Sequence, residues 1–241
     1  MAGAAEPEVR RRLVAAAARL FAAKGYENTS VSEVVAAAGV TKGSLYHYFQ
    51  AKDDLLHEIY HRVLALQLDR LDRLARGPGS PVDRLRAVAV DVVVTTVEHL
   101  DDMTVFARST HLLAPADPTG PADPAEPEAG APDVAGRPDL AAGAPRGAGR
   151  PGAAGGWERV RADRRRYHER FRSLVEDGQK VGLLRTDIAA DLAVRYFFGS
   201  VHHLLTWYRP DGPMNAAQLG NAYAQLFIDG LARTVAIPTG R

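Results

Sequence analysis

Apolar side chains recur every three to four positions through most of this chain, and that beat predicts helices. Val9, Leu13, Ala16, Ala17, Leu20 and Phe21 mark the first, from about Glu8 to Lys24, closed by Gly25, a residue type that tolerates a left-handed cap. Thr29 or Ser30 caps a second, in which Val31, Val34, Val35 and Ala38 turn inward before Gly39. Glu33, three residues after Ser30, completes a capping box. Thr41 caps a third, short helix with Leu45 and Phe49 on its inner side. A fourth runs from near Ala51 to about Arg76 on a stripe of Leu55, Leu56, Ile59, Val63, Leu66 and Leu71. The Gly77-Pro78-Gly79-Ser80-Pro81 cluster ends it. A fifth, about Pro81 to Leu100, is rich in valine. A buried strand competes at Val90–Val94, but Asp83, Arg84, Asp91 and Glu98 keep helical spacing. A shorter helix follows at about Met103–Leu113.

The pattern then breaks. Of the 43 positions from 114 to 156, 31 are Ala, Gly or Pro, with almost no large apolar side chain. Such a stretch buries too little surface to offset the entropy of ordering it, so a disordered loop or polyproline-like spacer is expected, with a partner-docking segment as the functional alternative. Helical spacing returns with Trp157, Val160, Arg164, Tyr167, Phe171, Leu174 and Val175, to about Gly182. Two more helices, about Asp187–Tyr208 and Asn215–Val235, are apolar on more than one face, as interface helices tend to be.

Composition adds exclusions. At 241 residues, 46% of them hydrophobic and biased to Ala and Leu, the chain suits an all-α protein of one large or two small domains. The absence of cysteine rules out disulfides and thiolate metal sites, which fits a reducing cytoplasm. A net charge of only +1 means that any nucleic-acid binding must come from local charge. Arg10-Arg11-Arg12 precedes an alanine-rich stretch, as in a secretory signal, but Arg19 and Lys24 interrupt it and its spacing is helical. No run approaches the roughly 18 apolar residues of a membrane span. A cytoplasmic location is expected.

Two patterns carry candidate chemistry. The third helix is too short and too polar for a core element. Its start, Thr41, Lys42, Gly43 and Ser44, presents small polar groups and backbone N–H donors, the kind of end that enters a DNA major groove. Residues 57–61, His-Glu-Ile-Tyr-His, match the zinc-hydrolase pattern of two imidazoles at i, i+4 with a glutamate base. The next histidine, His99, lies in a separate helix and makes a poor third ligand.

The long first helix, the helix-turn-helix ending Gly43-Ser44-Leu45-Tyr46-His47-Tyr48-Phe49, and the Ala51-Lys52-Asp53-Asp54-Leu55-Leu56 opening of the fourth helix resemble the TetR family of bacterial transcriptional regulators over residues 8–60. The resemblance implies an all-helical homodimer, with residues 1–52 as a three-helix DNA-binding domain and 53–241 as a larger ligand-binding and dimerisation domain. Ligand binding shifts the two heads and releases a palindromic double-stranded DNA operator. The stretch from Phe197 to Pro213 resembles the penultimate helix of FadR-type and steroid-catabolism repressors, which answer to acyl-CoA thioesters. Against these relatives the 114–156 segment is an insertion.

By that resemblance Lys42, Gly43, Ser44 and His47 face the groove, with Ser32 nearby. Thr29, Ser30, Thr41, Tyr46 and Tyr48 meet phosphates, and Lys52 adds a charged clamp. The plainer alternative makes Tyr46 and Tyr48 packing aromatics and Thr41 only a cap. Arg10–Arg12 suits either a groove or phosphate contact or a solvated helix start. For the effector, Trp207 and His202 are candidates for a hydrophobic pocket with Arg209 at its mouth, although Trp207 suits a dimer interface equally. Phe106, Arg108, Tyr167, Phe171 and Phe198 are expected in the cavity wall. The run Arg159, Arg161, Arg164, Arg165, Arg166, Arg170 and Arg172 attracts an anionic ligand or is simply a solvated face. The expected protein is a dimeric repressor released by a hydrophobic small molecule, an acyl-CoA or a related lipid or steroid catabolite. It has no cofactor, no metal and no membrane partner, and it is not an enzyme. The alternatives are a multidrug-type or ligand-independent regulator and, further off, a zinc hydrolase built on His57, Glu58 and His61.

Overall fold

The computed structural model describes residues 8–108 and 151–233. Among these it is all helix: α1 (Glu8–Lys24), α2 (Val31–Ala38), α3 (Lys42–Tyr48), α4 (Lys52–Ala75), α5 (Pro81–Glu98), α6 (Leu100–Arg108), α7 (Pro151–Lys180), α8 (Ala190–Trp207) and α9 (Ala216–Leu231). Local chemistry sets most of the ends. Ser30, Ser80 and Asn215 each accept a hydrogen bond from the backbone N–H three residues on, inside a full capping box, and Thr41 does the same for Ser44 without one. No helix among the described residues is long and apolar enough to cross a membrane.

One element settles as expected and two depart from the sequence expectation. Val90–Val94 lies inside α5 and is helical, so the strand alternative falls. The sixth helix starts at Leu100, with residues 109–113 outside the described part. The seventh begins at Pro151, inside the Ala/Gly/Pro-rich segment, because proline suits a first helical position and Ala153 and Ala154 extend it. The rest of the expected loop, through residue 150, lies outside the described residues.

Two apolar cores organise the molecule. The first gathers Leu13, Phe21, Val34, Leu45, Phe49, Leu55 and Ile59 from α1–α4 and reaches Val105 and Phe106 on α6 and Val160 on α7. The second joins α4, α5, α7, α8 and α9 around an aromatic cluster. Phe171 stacks on Phe197 with centroids 5.1 Å apart, and Phe227 lies 4.7 Å from Phe197. Helix α4 belongs to both cores, through Tyr60 and Leu64 above and Leu68 and Leu71 below. The boundary drawn at residues 52/53 therefore falls at the start of the helix that the two units share.

Candidate DNA-binding face and effector cavity

The first core holds α2 and α3 at a fixed angle. Gly39 ends α2 with φ 62°, a left-handed turn that favours glycine. Arg12 donates from Nη2 to the carbonyl oxygens of Ala38 and Gly39, the second at 3.2 Å, closing the exposed end of α2 against α1. Arg10 pairs with Glu58 at 2.6 Å, and Arg11 pairs with Glu8. Each arginine of the cluster thus has a partner inside the protein, the Arg11 pair lying on the exposed start of α1.

Helix α3 buries Leu45 and turns the rest of its surface outward. Lys42, Gly43, Tyr46 and His47 are exposed, and Ser44 and Tyr48 are half-buried. Tyr46 is 54% exposed and makes no core contact, so packing does not account for it. Tyr48 does pack against the core, with His47 edge-on at 4.8 Å. A methyl group added at Gly43 would meet only Thr41 Oγ1, at 3.7 Å. Nothing in the fold requires glycine there, although it costs a helix about 0.5–1 kcal/mol relative to alanine. Ser32 is exposed on α2. Ser30 is exposed, with its hydroxyl on Glu33. The face thus carries Lys42 and His47 and no acidic residue from α3.

Two expected phosphate ligands are placed otherwise. Thr29 is buried, and its hydroxyl donates to the Gly25 carbonyl oxygen at 2.9 Å. A hydroxyl so near the end of α1 is closer to an unpaired helix carbonyl than to any external group. Lys52 turns inward: Nζ lies 4.1 Å from the Tyr26 ring centroid and donates to the Tyr26 carbonyl oxygen at 2.9 Å. The Tyr26 hydroxyl in turn donates to Asp53, and burial and that carboxylate push its pKa well up. This clamp joins the α1–α2 turn to the start of α4.

The zinc pattern is divided among structural roles. The His57 ring sits edge-on to Trp157 at 4.2 Å, with Nε2 buried and unpartnered among the described residues. Burial holds its pKa below the usual histidine value, against the opposing charges of Asp53 and Asp54. Glu58 is spent on Arg10. Among the described residues no three His, Asp or Glu side chains gather where a metal could sit.

A cavity of about 30 Å³ opens between α4, α5, α6, α7 and α8. Phe106, Tyr167, Phe198 and His202 line it as expected. The others do not. Phe171 is fully buried in the aromatic core, and Arg108 reaches away to donate to the Ala22 carbonyl oxygen at 2.6 Å. Trp207 is 47% exposed on α8, and Arg209 is exposed, with Nη1 on its neighbour's carbonyl oxygen. Sequence reasoning missed Gln67, Met103 and His168, and placed Arg164 in the helical spacing and the basic run but not in the cavity. The available signal was Arg164 and His168 one turn apart beside Tyr167. Three others of that run brace helices: Arg166 and Arg170 reach Asp72 on α4 at 3.6 and 3.4 Å, and Arg172 reaches Asp191 on α8 at 3.5 Å.

A short exposed recognition helix capped by Thr41, an α4 shared by head and body, and a cavity beneath that joint together define a helix-turn-helix regulator. Residues 13–59 match the family model for bacterial regulatory proteins of the tetR family, and residues 156–231 match the tetracyclin repressor-like C-terminal domain. The chain belongs to the TetR family of transcriptional regulators. It is 23% identical to the HTH-type transcriptional repressor KstR2 of Mycobacterium tuberculosis over 224 residues, 93% of each chain. The solved structure of that ketosteroid regulator superposes with a TM-score of 0.71 at 20% identity, covering 93% of this chain and 95% of that one. AibR, solved in complex with isovaleryl coenzyme A and operator DNA, superposes with a TM-score of 0.66 at 21% identity, covering 90% and 97%.

Proposed function

We propose that this chain is a dimeric repressor that reads a palindromic operator through α3 of each copy and leaves it when an acyl-CoA or related lipid or steroid catabolite enters the cavity. The observation that carries the DNA reading is the outward face of α3, where Tyr46, Lys42 and a glycine without a packing reason stand together. Lys42, Gly43, Ser44 and His47 meet base edges, with Ser32 beside them, and Ser30, Thr41, Tyr46 and Tyr48 meet phosphates. Thr29 and Lys52 act by holding the head together.

Dimerisation is supported by an exposed apolar face on α8 and α9, where Leu192, Tyr196, Trp207 and Leu226 are 60%, 70%, 47% and 74% exposed. A surface of this kind marks an interface. The effector class draws on the relatives: KstR2 is a ketosteroid regulator and AibR binds isovaleryl coenzyme A. The largely apolar cavity wall suits an acyl or ring portion.

Operator binding measured by fluorescence anisotropy tests the reading. Log affinity is expected to fall linearly with log salt, and Tyr46→Ala or Lys42→Ala to weaken binding strongly. Absence of binding to DNA from the chain's own upstream region sinks the repressor reading. One observation favours a ligand-independent regulator: about 30 Å³ holds a water or two, whereas effector pockets run to about 300–1,000 Å³. Operator release by an acyl-CoA, but not by coenzyme A itself, separates the two.

A further inference from the structure

We propose that the Tyr167 hydroxyl and the Gln67 carboxamide form an oxygen-reading subsite in the cavity wall, so that the effector must present an uncharged carbonyl or hydroxyl oxygen among its apolar atoms. The inference rests on the effector-released repressor reading and specifies its ligand. Tyr167, on α7, is only 4% exposed and lines the cavity, yet its hydroxyl makes no hydrogen bond among the described residues. A phenol so deeply enclosed normally has a partner. Burial and the Asp91 carboxylate push its pKa well up, so the group remains an O–H donor at any working pH. Gln67 lines the same cavity from α4. Its one hydrogen bond among the described residues runs from Nε2 to the Met103 sulfur at 3.9 Å, and a thioether is a weak acceptor. The carboxamide oxygen and a second N–H are left for a ligand. Thr96, the other hydroxyl in the wall, is already committed, donating to the Val92 carbonyl oxygen at 2.8 Å.

A ligand carbonyl accepts from the phenol and the amide, and a ligand hydroxyl can also donate to the Gln67 oxygen. An analogue without the oxygen leaves both protein groups unpaired in an apolar wall, and that loss is the source of discrimination. The subsite is also joined to the head. When the Gln67 amide exchanges the Met103 sulfur for a ligand oxygen, α4 gives up a contact with α6. Helix α4 carries Leu55, Leu56 and Ile59 in the core of the DNA-binding head. Recognition of the oxygen is therefore felt on the helix that head and cavity share.

The test is operator release by two pairs of probes, each normalised to the protein's own effector-free operator affinity: octanoyl-CoA against its thioether analogue S-octyl-CoA, and testosterone against androstane. In at least one pair the parent is expected to need about five- to tenfold more of the deoxygenated member. Tyr167→Phe and Gln67→Met are each expected to raise the half-effective concentration of the oxygenated member about five- to tenfold and to leave its deoxygenated partner unchanged. A merely structural role would move both members together. Discrimination within the first pair places a thioester carbonyl in the subsite; discrimination within the second places a steroid oxygen there. Because the Tyr167 hydroxyl has no partner in the fold, Tyr167→Phe is also expected to melt at or above the temperature of the parent. Equal potency within both pairs, variants that shift both members of a pair alike or neither, or a Tyr167→Phe protein that melts well below the parent overturns the proposal. Failure of the parent to bind operator, or to release it with any probe, instead overturns the reading on which the proposal rests.

Discussion

The buried hydroxyl of Tyr60 on α4 donates to the backbone carbonyl oxygen of Phe106 on α6 at 3.1 Å. This bond fastens the helix that descends from the DNA-reading head to the helix whose phenylalanine lines the cavity, so head and cavity share a rigid corner. Tyr60→Phe removes the donor and keeps the ring. It is expected to destabilise by about 0.5–1.5 kcal/mol, whereas Tyr60→Ala, which also empties a fully buried site, is expected to cost about 3–5 kcal/mol. Urea unfolding of both variants checks the difference; equal losses would show that the hydroxyl contributes nothing measurable.

The two glycines of the helix-turn-helix should behave oppositely. At Gly39 the backbone is left-handed and a Cβ would stand 2.7 Å from Arg12 Nη2, so Gly39→Ala is expected to destabilise by at least about 1–2 kcal/mol. At Gly43 the added methyl has room, so Gly43→Ala is expected to leave the fold as stable or stabilise it by up to about 1 kcal/mol. The same change should weaken operator binding, because the methyl occupies space that the DNA needs. Melting temperatures and anisotropy titrations on the pair separate fold from function.

Acid should loosen the joint between α4 and α7. Burial keeps the folded-state pKa of His57 below its unfolded value of about 6.5. The unfolded chain therefore binds the proton first, and stability falls as pH drops from about 6.5 through the depressed folded value. His57→Phe is expected to flatten that part of the pH dependence. Carboxylates act in a separate window. Glu33, held down to about 2 by Lys24 and the Ser30 cap, loses its contribution only as pH falls below about 4.3. A parent and a His57→Phe protein with identical stability profiles near pH 6 would refute the assignment.

Charging the exposed apolar face should separate the copies. Leu226→Glu and Leu192→Glu alter side chains that the single chain leaves in solvent, so monomer stability should change by no more than about 0.5 kcal/mol. Association buries them, and an unpaired carboxylate there is costly. Light scattering coupled to gel filtration is expected to show a dimer for the parent and monomer for the double variant, with operator affinity lost in parallel. A variant that stays dimeric places the interface elsewhere.

The division between legible and illegible positions follows the range of the interactions. Ser30, Thr41 and Gly39 act on groups within a few residues, so spacing along the chain reveals them. Thr29 and Lys52 share the same polar stretch, yet one turns into the core and the other reaches back 26 residues to Tyr26. Nothing in their sequence neighbourhood distinguishes them from Ser30 or Tyr46. Trp207 and Phe198 show the same ambiguity on a single helix, one exposed and the other in the cavity wall.

Sequence by itself therefore determined the helical architecture, the cap residues and the helix-turn-helix, because periodicity and capping are local physics, while the family was legible only through the resemblance of its motifs to known regulators. Tertiary structure alone decided that Arg164 and His168, rather than Arg108, Trp207 or Arg209, face the cavity. It also decided that Arg10 and Arg12 pair with Glu58 and the end of α2 and that Phe106 joins head to cavity. An apolar helix face is equally suited to a core, a cavity or a second copy of the chain, and only the packing of α4 to α9 around it determines which one it meets.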